Sequence, residues 1–580
     1  MRLRPSVLVL GLVAAVCATR ASAAAPPHPA LTHAEGLACE YVVQVDDPAS
    51  EQVAVAARLA GLAGPVTLSL PEKYAYAGVE PRLVDGPTAR RSDDGAALSL
   101  EREGAFRWRL DPGDARAVDL AWTVRLDHRR QPGVANRDEY EHPYLADDHG
   151  LFIPGAVLLV PDFEPLDARV RFALPEGWPV HAPWPTDGDD PDGGLVYAPD
   201  SAALVDDLVA LGHWDVHTGR TDDLDYVLAF APGQRPLQEM VVPNLGPILD
   251  AEVALFGGAP MEHYLFVFGR PDQVSGYGGS PKQNAMTLFV SPDLPPDFAA
   301  GGVTHLIAHE FHHTWMKARC QPHDELRFVM EGFTDYYAHV VPWRLGDTSD
   351  LGLRDTFAEQ LSQADGALAA VEGSLAAAGG PRFFEGGSAY QACYTGGLAL
   401  ALWTDLALRR AGEPEGLDEL MRAFYEDPRW RDGTRPTLDD WFALVEERLG
   451  PELTALQRAA VTGTDDPDWP ALLAEVDVEA VRRVEPVPGG PRANFDGTTV
   501  LAIDPTGAGG LLGLQGGDRL LEVNGQAVSG EGDVRRAWGQ PVDGRMRLAL
   551  ERGGERVTID EEPPTRAVYD LPSDLARRLR

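Results

Sequence analysis

The chain has 580 residues and a formal net charge of −39, from 50 Lys and Arg against 89 Asp and Glu, and 44% of its residues are hydrophobic. The length predicts three or four domains, and the composition excludes a disordered chain, a collagen-like repeat and a disulfide-stapled miniprotein. So large an acidic excess repels phosphate backbones and anionic lipids, so we expect binding to neither nucleic acid nor a membrane surface.

The first residues have the composition of an export signal. A basic start, MRLRPS, precedes an apolar stretch too short to span a bilayer, and the segment ends in an Ala-x-Ala pattern at Ala21 and Ala23. This predicts a signal peptide over residues 1–23, cleaved after Ala23, and a secreted or periplasmic product. Lipidation at Cys17 is the alternative, and it is disfavoured because Val16 stands where a small residue is usual.

The mature chain is expected to be more acidic still and poor in cysteine. Removing the signal peptide takes away three arginines and no acidic residue, which leaves a net charge of −42. Cys39, Cys320 and Cys393 remain, so at most one disulfide bond is expected. No membrane span is expected, because Asp405 interrupts even the apolar run GGLALALWTDLAL.

Residues 24–235 are predicted to form an all-β domain. From about residue 40 the chain consists of short β-rich runs separated by turns rich in Pro, Gly and Asp. The runs are EYVVQV, VTLSL, VDLAWTVRLDH, AVLLV, ARVRFAL and YVLAFA.

Residues 236–475 change to a helical period and are predicted to form an α+β domain that continues into a helical lobe. Two strands, YLFVFG and AMTLFVS, lie between the first two helices. The predicted helices are VVPNLGPILDAEVALFG, GGVTHLIAHEFHHTWMKA, LRFVMEGFTDYYAHVV, LRDTFAEQLSQADGALAAVEGSLAAA and AYQACYTGGLALALWTDLALRRAG.

Residues 484–563 are predicted to form a separate small β-rich domain, and residues 564–580 an Arg-containing tail. The strands are VLAID, RLLEVNG, RMRLALERG and RVTIDEE, with one short helix at EGDVRRAWG.

One short motif indicates a metal-binding site with a general base. Residues 309–313 match His-Glu-x-x-His, on a helix whose apolar residues have helical spacing. His309 and His313 are four residues apart and therefore point the same way, which lets both imidazoles bind one Zn²⁺. Glu310 can reach a water in the open metal position and take its proton. His305 lies on the same row, but Leu306 follows it where Glu is needed, so it is interpreted as a packing or ligand-supporting histidine.

A catalytic zinc needs a third protein ligand. Glu331 lies eighteen residues after His313 on a second apolar helix and would complete a His₂Glu set, the arrangement of thermolysin-like peptidases. Asp335, one turn further, is placed to accept the other ring proton of a zinc-bound histidine. Tyr394 and Tyr390 are candidates for the hydrogen bond that stabilises an oxyanion, and each could equally be a core residue.

Together these motifs resemble the glycyl-aminopeptidase-like gluzincins, zinc peptidases that carry a C-terminal PDZ domain. The resemblance covers nearly all of the mature chain. It rests on EYVVQVDDP, HEFHHTWMKARCQP, MEGFTDYY, YTGGLALALWTDLALR and the PDZ-like stretch GLQGGDRLLEVNGQAV.

The resemblance implies a β-rich N-terminal domain, a thermolysin-like catalytic domain and a PDZ module that binds peptides. It assigns the zinc ligands to His309, His313 and Glu331, the general base to Glu310 and the transition-state donor to Tyr394. One catalytic Zn²⁺ and a peptide or protein substrate are therefore expected.

The chain departs from the family pattern in the segment Gly278-Gly279-Ser280-Pro281-Lys282. The family reads Gly-Gly-x-Glu-His there, and its Glu is thought to grip the free α-amine of the substrate. Pro281 cannot accept an amine, and Lys282 would repel it. We therefore expect weakened recognition of the free N-terminus, with endopeptidase activity or a preference for acidic groups; the alternative is that Glu262 or Glu385 replaces the lost carboxylate.

A second departure is Gly396, which stands where the family has Lys after the catalytic Tyr. The competing functional class is a catalytically silent binding protein. In it the PDZ-like domain would bind peptides, and the peptidase fold would serve only as its scaffold. Because Glu310 is present with all three ligands, a zinc peptidase is favoured.

Overall fold

The computed structural model describes residues 37–580 except 71–81, 127–141, 163–165, 190–194, 270–276, 291–295, 369–370, 372, 386, 488 and 504–506. These residues form two compact units, one ending at Gln321 and the other comprising Pro322–Arg580. The predicted signal peptide, with Cys17, lies outside the described residues. Among the helices of the described ranges, none combines the length and the hydropathy needed to cross a bilayer.

The first unit begins with a β-rich region. Its elements are β1 (Leu37–Gln44), β2 (Gln52–Ala60), β3 (Val66–Ser69), β4 (Arg82–Arg91), β5 (Ala97–Leu98), β6 (Leu100–Arg102), β7 (Arg107–Leu110), β8 (Ala117–Arg125), β9 (Tyr144–Leu145), β10 (His149–Phe152), α1 (Pro154–Val157), β11 (Val160–Pro161), β12 (Leu166–Ala173), β13 (Val180–His181), β14 (Thr186–Asp189), β15 (Leu195–Tyr197), α2 (Ser201–Asp206) and β16 (Val209–Gly212), with a 3₁₀ turn at Pro48–Ser50.

The strands of this region form an eight-stranded sheet, in the order β14-β15-β12-β1-β2-β8-β4-β5, and two four-stranded sheets. Alternate residues of β1 and β8 are buried, which is the two-residue period of a strand with one face on a core. Buried polar groups of the core find partners: Tyr41 donates to the carbonyl of Leu159 at 2.9 Å, and Trp122 donates to that of Val157 at 2.8 Å.

One predicted strand of this region is wrong. The run Ala156–Val160 contains the end of α1 and the first residue of β11, and all five residues are buried. A continuous apolar run has no period that separates a buried strand from a buried helical turn. Pro154 begins the helical turn, because its fixed φ suits the first helical position.

The first unit continues with a five-stranded sheet and two long helices, in which α3 packs against α4. The sheet order is β17-β18-β19-β21-β20; β19 is parallel to both its neighbours, and β20 is antiparallel to β21. The two predicted helices and both predicted strands are confirmed here. The elements are β17 (Asp215–Arg220), β18 (Asp225–Phe230), α3 (Arg235–Phe256), β19 (His263–Gly269), β20 (Tyr277–Pro281), β21 (Ala285–Val290) and α4 (Pro296–Arg319).

The second unit begins with a helical lobe. Its helices are a 3₁₀ turn (Asp324–Leu326), a π-helix (Phe328–Phe333), α5 (Thr334–Leu345), α6 (Asp350–Ala364), α7 (Leu375–Ala378), a 3₁₀ turn (Pro381–Glu385), α8 (Ser388–Gln391), a second π-helix (Ala392–Gly396), α9 (Gly397–Ala411), α10 (Leu417–Tyr425), a 3₁₀ turn (Pro428–Asp432), α11 (Leu438–Thr462) and α12 (Trp469–Ala474).

The core of this lobe is α9, whose residues Gly397–Leu408 are all buried. A helix that is apolar all round belongs in an interior. Its one acid, Asp405, accepts hydrogen bonds from Tyr336 at 2.6 Å and Arg409 at 3.0 Å. The helix predicted over residues 353–378 is interrupted: α6 ends at Ala364, and the short α7 follows.

The second unit ends with a β-rich module. Its elements are β22 (Val481–Pro486), β23 (Ala493–Asp496), β24 (Thr499–Ile503), α13 (Ala508–Leu511), β25 (Arg519–Val523), β26 (Gln526–Ala527), α14 (Glu531–Trp538), β27 (Met546–Arg552), β28 (Glu555–Glu561), β29 (Thr565–Asp570) and α15 (Leu575–Arg578).

Strands β23 to β28 surround a core of their own that includes Leu520, Val534 and Leu548. Strands β22 and β29 form a separate two-stranded ribbon, and β29 and α15 pack on α6. Residues 564–580, expected as a tail, thus carry a strand and a helix, with Leu575 and Leu579 at most 1% exposed.

The three cysteines of the described residues, Cys39, Cys320 and Cys393, are free and buried. Burial raises the pKa of all three thiols, that of Cys39 to about 12. Because all three are free, no disulfide bond joins them, which agrees with the expectation of at most one disulfide bond.

Candidate metal centre

The His-Glu-x-x-His motif lies in the middle of α4, as predicted. Phe311 and Trp315 on this helix are at most 2% exposed and anchor it in the core of the first unit. The polar motif is itself buried, since His309 is 2% exposed and Glu310 and His313 are 6% exposed. Ionisable side chains are rarely buried to this extent unless they bind partners.

The two motif histidines converge. The Nε2 atoms of His309 and His313 lie 3.2 Å apart, and their rings meet at 84°. Two nitrogens bound tetrahedrally to one zinc at about 2.0–2.1 Å stand about 3.3–3.4 Å apart, so the observed pair fits zinc binding. Both side chains belong to a candidate metal-binding group, as does the half-buried His305, whose ring lies 6.2 Å from that of His309.

Glu310 lies against β20, the last strand of the five-stranded sheet as described. A β-carbon built on Gly279 would be only 2.7 Å from Cγ of Glu310. Glycine at this position therefore permits the strand and the carboxylate to approach each other. Gly278 is needed for a different contact, because a β-carbon there would lie 2.6 Å from the ring of Phe289 on β21.

Lys282 begins the turn between β20 and β21 and is only 4% exposed. Its Nζ donates a hydrogen bond to Oγ of Ser280 at 3.1 Å. Ser280 is on β20, so the lysine lies along the same strand as Gly279.

A third buried histidine, His312, lies within the motif and has different contacts. Its Nδ1 lies 3.0 Å from Oε2 of Glu252 on α3, and both side chains are fully buried. Phe256, one turn further on α3, packs edge-on against the His312 ring and stacks on Trp315. These contacts fix the rotation of α4 about its axis and thereby the direction in which His309 and His313 point.

In the second unit, Glu331 lies in the first π-helix, which is packed through two glycines. A β-carbon on Gly332 would be 2.4 Å from Cα of Gly397, and one on Gly397 would be 2.4 Å from the carbonyl oxygen of Phe328. Short π-helical segments recur at functional sites because they redirect side chains locally. Glu331 is itself a candidate metal ligand.

Arg327 flanks Glu331. Its guanidinium lies 3.9 Å from Oε1 of Glu331, donates to the carbonyl of Gly379 at 3.0 Å and to Asp324 at 3.0 Å, and lies 4.6 Å above the ring of Phe383. Because the guanidinium is held from several sides, it is a fixed positive charge beside the carboxylate.

The remaining predicted residues of this unit are also buried. Asp335 is 5% exposed, with His339 at 4.0 Å from its carboxylate. Tyr394 lies in the second π-helix and is 7% exposed. Its ring stacks on Tyr390 at 4.4 Å and lies parallel to Phe383 at 6.3 Å.

The fold is similar to those of solved structures. An aminopeptidase N family protein from Idiomarina loihiensis matches with a TM-score of 0.75 at 16% identity, over 93% of this chain and 100% of the other. An M1 zinc metallopeptidase from Deinococcus radiodurans matches with a TM-score of 0.50 at 14% identity, over 75% and 95%. At such identities the likeness concerns the fold alone.

Residues 40–213 match the Peptidase M61 N-terminal domain. No curated protein sequence matches the chain. The prediction of a β-rich N-terminal domain followed by a helix-rich C-terminal region is confirmed by the fold.

Two of the supporting residues, one in each unit, were not identified from the sequence. These residues are Glu252 and Arg327, and the available signals were an acid within the apolar stretch of α3 and an arginine one turn before Glu331. The partners of these two side chains lie in remote or irregular segments, so hydrophobic periodicity alone could not identify those partners.

Proposed function

We propose that the chain is a zinc-dependent metallopeptidase that binds one Zn²⁺ through His309, His313 and Glu331. The observation that carries the proposal is the 3.2 Å separation of the two histidine Nε2 atoms, which suits two ligands of one zinc. Burial of Glu310 directly beside them supports its role as the base. The fold likeness to structures named as zinc metallopeptidase and aminopeptidase N family protein is consistent with this reaction class.

The supporting side chains orient the ligands. Asp335 accepts the second ring proton of a zinc-bound histidine, which fixes its tautomer and raises its basicity. The Arg327 guanidinium lies 3.9 Å from Oε1 of Glu331 and attracts this carboxylate electrostatically.

The chemistry divides between the metal and the chain. His309, His313 and Glu331 would hold the zinc, which when bound would supply Lewis-acid chemistry that polarises a peptide carbonyl and acidifies a water. Glu310 takes a proton from this water and later delivers it to the departing amine, so the same carboxyl acts first as base and then as acid. The Tyr394 hydroxyl donates a hydrogen bond to the substrate oxygen as negative charge develops there. Fixed, buried donors contribute most because they need no reorganisation during the reaction.

Substrate selection is expected to differ from that of the family it resembles. Pro281 stands at the amine-anchoring position, and Lys282 next to it is buried beside Ser280 and brings positive charge to the same strand. We propose that the enzyme tolerates a blocked N-terminus. Glu262, an alternative anchor, is exposed on the short segment before β19, and the side chain of Glu385 lies outside the described residues.

The specificity is tested by comparing an alanyl chromogenic amide with the same compound N-acetylated. Comparable kcat/KM for both, and a gain for substrates with an acidic residue near the scissile bond, is the expected result. A strong preference for the free amine would show that another group replaces the anchor.

Enzyme activity itself is tested with metal analysis and peptide hydrolysis. We expect one zinc per chain in the wild type and in Glu310→Gln, with activity lost only in the latter. His313→Ala should lose zinc and activity together, whereas Gly301→Ala on the same helix, where nothing lies within 4 Å of a built β-carbon, is the control that keeps both. A wild type without zinc, or one as inert as Glu310→Gln on varied peptides, favours the alternative of a silent binding protein.

We propose that the β-rich module, residues 484–563, is a PDZ-like peptide-binding domain. Strand β23 is the last strand of its sheet as described, so a peptide can be added along its edge. A β-carbon on Gly490, in the loop before β23, would lie 3.7 Å from the Arg535 guanidinium, which pairs with Glu531 at 2.6 Å. We propose that this guanidinium attracts the carboxylate of a peptide bound near the loop.

The PDZ-like assignment is tested by fluorescence anisotropy with labelled peptides that have a free C-terminus. Arg535→Glu should weaken their binding about tenfold or more, and amidated peptides should bind weakly to both proteins. Equal binding of free and amidated peptides contradicts the assignment.

Export is part of the proposal, on the basis of the predicted signal peptide. N-terminal sequencing of the mature protein should start at Ala24. A protein that retains Met1 or is lipidated at Cys17 contradicts cleavage after Ala23.

A further inference from the structure

The turn that follows β20 is held by two acids from the β-rich N-terminal region. Asp206 ends α2, and its carbonyl accepts a hydrogen bond from the backbone N of Gln283 at 2.8 Å. Asp207 accepts from the backbone N of Asn284 at 2.7 Å and from the Asn284 side chain at 2.9 Å. Trp184 donates to the same carboxylate at 3.0 Å, which fixes its orientation.

Lys317 joins this turn to the helix that bears the motif. It lies on α4, four residues after His313 and therefore on the same side of the helix. Its Nζ donates to the carbonyl oxygen of Pro281, the last residue of β20, and lies 3.3 Å from Oδ2 of Asp206. The side chains of Lys317 and Asp206 are 26% and 17% exposed, so water screens the pair only partly.

The contacts of Gly279 and Lys317 join β20 to α4 at two points. Gly279 is two residues before Pro281 and touches Glu310, and Glu310 is seven residues before Lys317 on the same helix. The distance between β20 and α4 is therefore set at one point by the Gly279 contact and at another by Lys317. A single strand at the end of a sheet has hydrogen-bonded support on one side only, so such a second support determines where its outer edge lies.

We propose that Asp206, Asp207 and Lys317 form a clamp that positions the edge of β20 relative to Glu310, and that this clamp determines how an extended peptide substrate is held. The proposal rests on the proposed function, and the three side chains are positioning residues because none is argued to touch the reacting atoms. The N-terminal region thereby takes part in substrate binding through Asp206 and Asp207. An extended peptide that pairs with the β20 edge binds the backbone N–H and C=O groups of this strand. The clamp sets the distance of these groups from Glu310.

The test uses the full-length protein with Lys317→Met, which keeps the side-chain length and removes the charge, and Lys317→Arg, which restores it. Arg235→Met is the matched control, because Arg235 pairs with Glu239 on the exposed surface of α3 and is 85% exposed. Should Lys317→Met fail to fold, Asp206→Asn weakens the same bridge from the other side and is measured in its place.

We expect KM for an extended peptide to rise about tenfold in Lys317→Met, with kcat within about twofold and zinc content unchanged. Lys317→Arg should recover most of the loss, and Arg235→Met should behave as wild type. A purely structural role would lower stability without this division between KM and kcat. An unchanged KM in a folded, zinc-loaded Lys317→Met protein overturns the proposal.

A second readout does not depend on activity. Hydrogen exchange of backbone amides in residues 277–285 should be about tenfold faster in Lys317→Met than in wild type or Arg235→Met. If the wild type is inert but this difference is observed, the proposed enzyme function fails while the clamp stands as a positioning device. If exchange is unchanged, the clamp is refuted whatever the activity.

Discussion

Gly279 on β20 and Glu310 on α4 are packed so closely that a β-carbon on residue 279 would lie 2.7 Å from Cγ of the carboxylate side chain. Gly279→Ala must therefore displace the strand or the base. Because a misplacement of about 1 Å can cost about 100-fold in rate, we expect kcat/KM to fall about 100-fold while zinc stays bound. The measurement is steady-state kinetics with metal analysis.

The control for this substitution is Gly301→Ala on the same helix, where nothing lies within 4 Å of a built β-carbon. It should leave the kinetics unchanged. Full activity of Gly279→Ala would show that Glu310 is not the base or that the strand moves freely.

Two neighbouring glycines of the second unit are expected to differ in their response to substitution. Gly397→Ala should be destabilising, and Gly396→Ala should be nearly neutral. A β-carbon on Gly397 would be 2.4 Å from the carbonyl oxygen of Phe328, whereas one on Gly396 would meet only a Leu375 methyl at 3.6 Å. Overpacking of this kind costs about 1–3 kcal/mol, and here it also moves the π-helix that bears Glu331. Urea unfolding and competitive zinc titration should show lower stability and at least tenfold weaker zinc binding for Gly397→Ala. Equal behaviour of the two variants contradicts this packing.

The pair formed by His312 and Glu252 is expected to stabilise the zinc helix. Removing one partner of a fully buried pair leaves the other polar group poorly solvated, so Glu252→Ala should lower the free energy of unfolding by about 3 kcal/mol. Glu252→Gln keeps an acceptor and should lose less. Chemical denaturation provides the comparison, and an equal loss in both variants would indicate a packing effect rather than the hydrogen bond.

Asp207 is expected to make stability depend on pH. Burial raises the pKa of this carboxyl from 3.8 to about 8, although hydrogen bonds from Asn284 and Trp184 oppose the shift. An acid whose pKa is higher in the folded state stabilises the fold fully below its unfolded pKa, and this contribution decreases as the pH rises to about 8.

The stability of the wild type relative to Asp207→Asn should therefore fall between about pH 4 and pH 8, because the substituted amide does not titrate. Thermal unfolding at several pH values measures the difference. A difference that does not change across this interval contradicts the raised pKa.

The C-terminal residues are expected to be structural. Deleting residues 571–580 removes Leu575 and Leu579, whose burial is worth about 2 kcal/mol each, so the free energy of unfolding should fall by about 4 kcal/mol. Deleting Arg580 alone removes an exposed ion pair with Asp350 and a contact with the Trp343 ring, and should cost much less than the longer deletion. Calorimetry distinguishes the two, and an unaltered unfolding temperature of the longer deletion would show that α15 does not stabilise the lobe.

Much of the fold follows from local periodicity. Buried side chains alternate along β1 and β8, and the motif helix α4 carries apolar residues at helical spacing, so strands and helices were predictable there. The prediction failed at Ala156–Val160 and at the interruption after Ala364, where an apolar run without a clear period or a break inside a helical pattern depends on neighbouring chain segments.

The sequence by itself determined the geometry of the motif, because residues four apart on a helix share a face: His309 and His313 had to converge, and Glu310 had to lie beside them. Only the tertiary structure decided what surrounds them. The approach of Gly279 to Glu310, the burial of Glu252 against His312 and the hold of Asp207 and Lys317 on the turn after β20 all join segments distant along the chain. Such contacts depend on how elements pack, and no local pattern encodes them.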